Sequence, residues 1–179
     1  MNEQRWFAAY VKARHESRVV ERLAQRSVET FLPLYRSRRE WSDRKVEIEL
    51  PLFSGYIFVR INLHLKLRVL EAPGVLYLVG AGGRPEPLED SEIQQLKMAM
   101  LDGRDPRPHA FVKAGDRVMI TRGRLEGYEG FLVRENNKHR VVLSVQMINS
   151  AMSVEVDADA IAPVKNWKNA QAGRQMVSA

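Results

Sequence analysis

Residues 55–61 are almost all apolar, but the two sets of alternate positions differ in chemistry. Successive side chains of a β-strand point to opposite faces, so each set lies on one face. The β-branched set suits a packed core, and the aromatic and basic set is therefore expected to look away from the main core. That second set would meet either a partner or a smaller second core. The β-branched set is Ile57, Val59 and Ile61, and the other is Tyr56, Phe58 and Arg60.

The rest of the first hundred residues combines strand and helix patterns. Helices are predicted at residues 14–28 and 89–101, where apolar residues recur at helical spacing. Residues 63–70 fit both an alternating strand and one face of a helix, and residues 36–50 are charged as in a long hairpin arm. The predicted strands are Arg5–Val11, Phe31–Tyr35, Gly55–Ile61 and Val75–Val79.

The second half of the chain has no helical pattern. Short β-branched runs separated by Gly, Asn and Asp turns are typical of a small barrel. Before them, residues 102–110 carry two prolines, one glycine and four charges, which predicts a flexible linker. The predicted strands are Val118–Ile120, Phe131–Arg134, Arg140–Val145, Ser153–Val156 and Ile161–Val164.

The charge of the chain is positive and unevenly distributed. Its 179 residues include 28 basic and 22 acidic ones, a formal net charge of +6. The surplus lies in residues 1–101 and 165–179, whereas residues 111–164 are neutral. A basic surplus suggests an anionic partner, most often nucleic acid, although it also fits a merely soluble surface.

Several functional classes find no support in the sequence. Cysteine is absent, which excludes disulfides and thiolate metal sites. No signal peptide and no apolar run of roughly 18 residues occurs, so we expect a cytoplasmic protein with no membrane contact. The four histidines lack metal-ligand spacing, and no nucleophile or phosphate-loop motif is present. We therefore expect neither an enzyme nor a cofactor.

A stripe of arginines follows the first predicted helix at intervals of four residues. The four side chains lie on one side of the helix, roughly opposite its apolar face. Like charges at this spacing disfavour the helix by a few tenths of a kcal/mol per pair, which favours a purpose such as phosphate contact. A solvated face remains the alternative. The stripe is Arg14, Arg18, Arg22 and Arg26, and Lys12 extends it.

Glycines cluster between two predicted strands in residues 115–136. They fit tight turns and positive φ angles, so the segment is either a structural hairpin or a binding loop. The positions singled out are Gly115, Asp116, Gly123, Gly127 and Gly130.

Four stretches together resemble the NusG family of transcription elongation factors. The first half looks closest to the specialised RfaH and UpxY-type antiterminators, and Gly130 is the characteristic glycine of the KOW motif. The stretches are 5-RWFAAYVKARHESRVVERL-23, 51-PLFSGYIFVRI-61, 73-PGVLYLVG-80 and 113-KAGDRVMITRGRLEGYEGFLV-133.

The resemblance implies two domains. Residues 1–101 would form an α+β NusG N-terminal (NGN) domain, an antiparallel sheet flanked by helices. Residues 102–110 would be a flexible linker, and residues 111–164 an all-β, SH3-like KOW barrel with no helical alternative. The order of the basic tail, residues 165–179, stays open.

The resemblance also implies partners for particular residues. An aromatic pocket would dock on the clamp helices of the RNA polymerase β′ subunit, and a basic surface would contact upstream and non-template DNA. Lys66 and Arg68 are candidates for a second contact, to the β subunit. The pocket residues are Tyr10, Phe53, Tyr56 and Phe58, and the nucleic-acid-binding residues are Lys12, Arg14, Arg18 and Arg22.

The function implied is that of a monomeric, non-enzymatic elongation and antitermination factor. Its KOW domain would recruit either Rho or a small-subunit ribosomal protein. The alternative is a ribosome-associated RNA-binding KOW protein, which the neutral charge of residues 111–164 disfavours.

Overall fold

The computed structural model describes residues 3–41, 44–109, 115–135 and 138–164. The predicted tail at 165–179 lies outside these residues. The elements up to residue 101 are β1 Arg5–Val11, α1 Glu16–Gln25, β2 Glu29–Phe31, β3 Leu34–Trp41, β4 Arg44–Pro51, β5 Tyr56–Ile61, α2 Lys66–Leu70, β6 Val75–Leu78, β7 Gly80–Ala81, β8 Arg84–Pro85 and α3 Asp90–Leu101.

The main sheet of this half is antiparallel, with the strand order β2-β5-β1-β6. Ala9 of β1 lies opposite Ile57 of β5 and Leu78 of β6. One face packs against α1 in a cluster that includes Leu23, and the other packs in a cluster that includes Ile93 of α3. Both faces of the sheet are covered, which explains why β1 is an almost continuous apolar run. The mixed α/β content and antiparallel pairing predicted from the sequence are confirmed.

Helix α1 is shorter at both ends than the predicted helix of residues 14–28. Its apolar face is as expected, because Val19 and Leu23 are fully buried. Arg14 and Ser27 have φ angles of 64° and 56°. These left-handed conformations cannot continue a right-handed helix, so the helix is confined between them.

The ambiguous segment 63–70 is helical. A 3₁₀ turn, Leu63–Leu65, leads directly into α2, and the side chain of Asn62 accepts a hydrogen bond of 3.0 Å from the backbone N–H of His64. Such capping satisfies an N–H that has no partner within the helix. Val69 of α2 is buried, whereas Leu67 is 59% exposed.

The strand predicted at Phe31–Tyr35 is two strands. Strand β2 ends at Phe31 and β3 begins at Leu34, with Pro33 between them. Proline has no N–H to donate to a neighbouring strand, which interrupts the ladder here. β3 and β4 then pair as the predicted hairpin, from Leu34 opposite Pro51 onward.

The second half is a six-stranded antiparallel sheet of order β14-β10-β11-β12-β13-β9. Five of these strands correspond to the predicted ones; closure into a barrel stays a prediction. Among the residues described here, the other regular elements are two short 3₁₀ turns. The strands are β9 Arg107–His109, β10 Asp116–Ile120, β11 Glu129–Glu135, β12 Lys138–Val145, β13 Ser150–Val156 and β14 Ile161–Pro163.

The sixth strand, β9, lies within the segment predicted as a flexible linker. His109 pairs opposite Ala151 of β13, and the backbone carbonyl of Arg104 accepts a hydrogen bond of 2.9 Å from the N–H of Glu155. Pro108 is tolerated because β9 is an edge strand, where one N–H is not needed. Part of the predicted linker is therefore bonded to the C-terminal sheet. The domain bounds themselves stay a prediction.

Candidate functional site

Three tyrosines form a row across three neighbouring strands, which we call the tyrosine row: Tyr10, Tyr56 and Tyr77. Tyr10 of β1 lies opposite Tyr56 of β5 on one side and opposite Tyr77 of β6 on the other. The ring centroids are 5.1 Å apart for Tyr10 and Tyr56, and 5.2 Å apart for Tyr10 and Tyr77. These separations lie within the range of favourable aromatic pairs. Tyr77 is 50% exposed, so the row reaches the surface at β6.

Tyr77 was not among the predicted pocket residues. The sequence signal that could have found it is the stretch 73-PGVLYLVG-80, in which Tyr77 shares a strand face with Val75 and Val79. Its closeness to Tyr10 depends on the pairing of β1 with β6, which no local pattern encodes.

The prediction that Phe53 and Phe58 face a partner is wrong. Phe53 is 4% exposed and Phe58 is fully buried, in the cluster that includes Ile93 and Leu96 of α3. Phe58 stacks on Phe31 at 6.0 Å and meets Phe53 edge-on at 6.1 Å. The aromatic face of β5 thus faces a second core, and of its two aromatic residues only Tyr56 is partly exposed.

The environment of Tyr56 disfavours ionisation. Burial raises the pKa of Tyr56 above its ordinary value of 10.0, and the neighbouring phenols of Tyr77 and Tyr10 raise it further. The phenol is therefore neutral at physiological pH and available as a hydrogen-bond donor.

A buried carboxylate lies behind the tyrosine row. Glu16, at the start of α1, is 3% exposed, and its Oε1 accepts a hydrogen bond of 2.8 Å from the backbone N–H of Gly55. The carbonyl of Gly55 accepts one of 2.8 Å from Val11. Gly55 has a φ of 81°, and a Cβ there would lie 3.0 Å from Cε2 of Tyr10. Sequence reasoning missed Glu16, because a glutamate at a helix start is ordinarily solvated.

The predicted basic surface divides into two groups. Lys12, Arg14 and Arg18 are exposed. Arg22 instead donates a hydrogen bond of 2.5 Å to the carbonyl of Pro73. Arg26 donates to two carbonyls at the end of α2, at 3.1 and 3.4 Å. The last two arginines of the stripe therefore also hold α1 against the neighbouring segment, and phosphate binding by the stripe stays a prediction.

The candidates for a second contact lie on α2. Lys66 and Arg68 are both exposed, and they alternate with the exposed Leu65 and Leu67. The surface is therefore mixed in character, with basic and apolar side chains side by side.

The glycine positions of the second half have structural roles in the sheet. Gly123 and Gly127 have φ angles of 90° and 85° in the turn between β10 and β11, where Gly127 donates a hydrogen bond of 2.8 Å to the carbonyl of Ile120. Gly130 is buried, and any side chain there would collide with the carbonyl of Val142. Gly115, with a φ of 145°, and Asp116 are exposed at the start of β10.

The described part of the chain contains no group of three or more His, Asp or Glu side chains able to hold a metal ion. None of the helices in this part has the length and apolar character needed to cross a membrane.

Comparison with known proteins gives relatives along nearly the whole chain. The NusG protein of Lactococcus lactis subsp. lactis (strain IL1403), a transcription termination/antitermination protein, is 30% identical over 178 residues, covering 91% of this chain and 95% of its own. Its counterpart in Rickettsia bellii is 23% identical over 168 residues, covering 86% of each chain.

A solved structure supports the fold. The structure of Thermotoga maritima NusG superposes with a TM-score of 0.58 at 20% identity, covering 91% of this chain and 98% of that one. The family model described as transcription termination factor nusG matches residues 4–97, more than half of the chain. On the strength of this match and the Lactococcus relative, the chain belongs to the NusG family.

Proposed function

We propose that the chain is a transcription termination/antitermination factor that binds RNA polymerase, and that the tyrosine row docks on the clamp helices of the β′ subunit. The observation that carries this assignment is the row itself, three paired aromatic rings that end in the half-exposed Tyr77. Tyrosine is enriched at interfaces because its ring buries a large area while its hydroxyl still reaches a polar partner. Membership of the NusG family supports the class of partner.

The exposed basic residues would contact the DNA beside the polymerase. Lys12, Arg14 and Arg18 surround the start of α1, close in sequence to Tyr10. Arginine and lysine attract phosphates without reading the base sequence, and they release counterions on binding. A polymerase docked on the tyrosine row would therefore bring upstream or non-template DNA toward these side chains.

The left-handed backbone of Arg14 supports its place in this group. Its φ of 64° is strained for any residue with a Cβ, and glycine would relieve that strain. An arginine at this position is better explained by a contact made by its side chain than by the turn it occupies.

The exposed face of α2 is a candidate for a second contact with the polymerase. The exposed α2 residues Lys66 and Arg68, beside the exposed Leu65 and Leu67, would contact the polymerase β subunit.

The C-terminal sheet would act as a KOW barrel that recruits Rho or a small-subunit ribosomal protein. Because the sheet is tethered to the polymerase-bound half of the chain, it would raise the local concentration of the recruited factor at the elongating polymerase. The specialised RfaH- or UpxY-like role belongs to this proposal as well.

The test measures binding of the full chain to an isolated β′ clamp-helix fragment and to core RNA polymerase. The variant Tyr56→Ala with Tyr77→Ala is expected to lose about 30-fold in affinity, the size typical of a truncated interface hot spot. Leu76→Ala is the matched control, because Leu76 is 48% exposed beside Tyr77 but points to the other face of β6.

A double tyrosine variant that binds within twofold of the wild type, with its fold intact by circular dichroism, would show that the row is not the docking surface. Run-on transcription across a terminator then gives the functional readout. Wild-type protein is expected to change readthrough, and the double variant is expected to have no effect.

A further inference from the structure

Glu16 is one of the few charged side chains that the described residues bury, at 3% exposure. Burying a carboxylate is unfavourable unless hydrogen bonds replace its water. Here the backbone N–H of Gly55 provides such a bond at 2.8 Å. The contact joins the start of α1 to the turn between β4 and β5, residues 39 positions apart in the chain.

We propose that Glu16 is a positioning residue for the tyrosine row: its carboxylate holds the Gly55 turn in the conformation that presents Tyr10 and Tyr56 to a partner. The inference rests on the proposed docking function. It adds a buried residue that touches no partner but sets the geometry of those that do.

Among the described residues, three hydrogen bonds hold the turn. Gly55 donates to Glu16 and accepts from Val11, each at 2.8 Å, and the N–H of Tyr56 donates to the carbonyl of Phe53 at 3.0 Å. Of these three, only the bond accepted by Glu16 involves a side chain, so a side-chain substitution outside the turn can remove it.

The link from the turn to the rings is steric. Gly55 has a left-handed φ of 81°, and its Cα is so close to Tyr10 that a Cβ would lie 3.0 Å from Cε2 of that ring. Tyr56 is the next residue in the chain. If the bond to Glu16 is lost, the turn can shift. That shift would move the backbone that contacts the Tyr10 ring and the Cα atom of Tyr56.

The opposite side of the same junction is anchored independently. The N–H of Lys12 donates a hydrogen bond of 2.9 Å to the carbonyl of Gly74, three residues before Tyr77. A Cβ at Gly74 would lie 2.8 Å from Cγ2 of Val19 in α1. Tyr77 thus keeps its anchor when Glu16 is changed, so the effect should centre on Tyr10 and Tyr56.

Two substitutions of similar size separate positioning from simple packing. Glu16→Met fills the same space with only a weak sulfur acceptor, whereas Glu16→Gln keeps an oxygen that can accept from Gly55. In the full chain we expect Glu16→Met to bind the β′ clamp-helix fragment about 10-fold more weakly and Glu16→Gln to bind within threefold of the wild type. Glu16→Asp, which keeps the charge but is one methylene too short, is expected to resemble Glu16→Met.

Nuclear magnetic resonance shows whether the turn and the rings move together while the rest of the fold is unchanged. In Glu16→Met the amide proton of Gly55 should shift upfield as its hydrogen bond is lost, and the ring signals of Tyr10 and Tyr56 should move while those of the C-terminal sheet stay in place. If Glu16→Met does not fold, the same measurements on Glu16→Asp decide the question.

Two results would overturn the inference: clamp-helix affinity unchanged in a folded Glu16→Met or Glu16→Asp variant, or an equal loss in Glu16→Gln. Either result alongside weak binding of the tyrosine variants leaves the docking function standing and removes only the role of Glu16. Normal binding by the tyrosine variants removes the docking function itself, and with it the inference.

Discussion

The guanidinium of Arg140 donates a hydrogen bond of 2.6 Å to the backbone carbonyl of Asp105. Arg140 lies on β12 and is 2% exposed, and it also donates to Oγ of Ser153 at 2.9 Å. A single buried side chain therefore bonds the segment before β9 to the middle of the C-terminal sheet. Asp105 has a φ of 47°, and this contact helps to hold that conformation.

The first prediction concerns this anchor. Arg140→Met should lower the free energy of unfolding of the C-terminal sheet by about 2–3 kcal/mol, because several buried acceptors lose their donor. Urea denaturation measures the loss, and hydrogen exchange should show faster exchange at Glu155, whose N–H bonds to Arg104. Arg134→Met, at an exposed position on β11, is the control and should change stability by less than about 0.5 kcal/mol.

The second prediction compares two glycines of the same hairpin. Gly130→Ala should destabilise the sheet by about 2–3 kcal/mol, because its methyl group would collide with the carbonyl of Val142 in the neighbouring strand. Gly127→Ala should cost only about 1 kcal/mol, since its φ is 85° but the surrounding space is open. Thermal unfolding of both variants checks the order, and equal losses would refute the packing explanation for Gly130.

The third prediction follows from the raised pKa of Tyr56. The folded protein holds this phenol proton more tightly than the unfolded chain does, so the stabilising contribution is present below the ordinary value of 10.0 and is lost as pH rises through the folded pKa. Titration by tyrosinate absorbance should show a late component in the wild type that Tyr56→Phe lacks. A difference spectrum between the two proteins that is complete by pH 10 would contradict the burial argument.

The fourth prediction separates the two groups of basic residues. Charge reversal at Lys12 and Arg18 should reduce crosslinking to DNA in the elongation complex and flatten its salt dependence, while binding to the isolated clamp helices is retained. Arg22→Gln should leave DNA crosslinking nearly unchanged, because Arg22 is bonded to the carbonyl of Pro73. Crosslinking that falls equally in both variants would show that Arg22 contacts DNA together with Lys12 and Arg18.

Element types were largely predictable, but element ends were not. The apolar spacing of α1 predicts its buried Val19 and Leu23, and the structure buries both. Its ends depend on left-handed backbone at Arg14 and Ser27, and neither residue type signals that conformation. The strand β9 was not predictable from local sequence either, because its pairing partner β13 lies about 40 residues further along the chain.

The two-residue alternation of β5, the helical faces and the glycine turns could be predicted from local sequence, because these depend on the backbone geometry of neighbouring residues. What each face meets depends on the packing of the whole fold. Tyr56 and Phe58 share one face of β5, yet the cluster around α3 buries Phe58 while Tyr56 joins Tyr10 and Tyr77. Burial depends on elements packed from distant parts of the chain, and so does the contact from Glu16 to Gly55. Local periodicity carries no information about which distant parts of the chain come together.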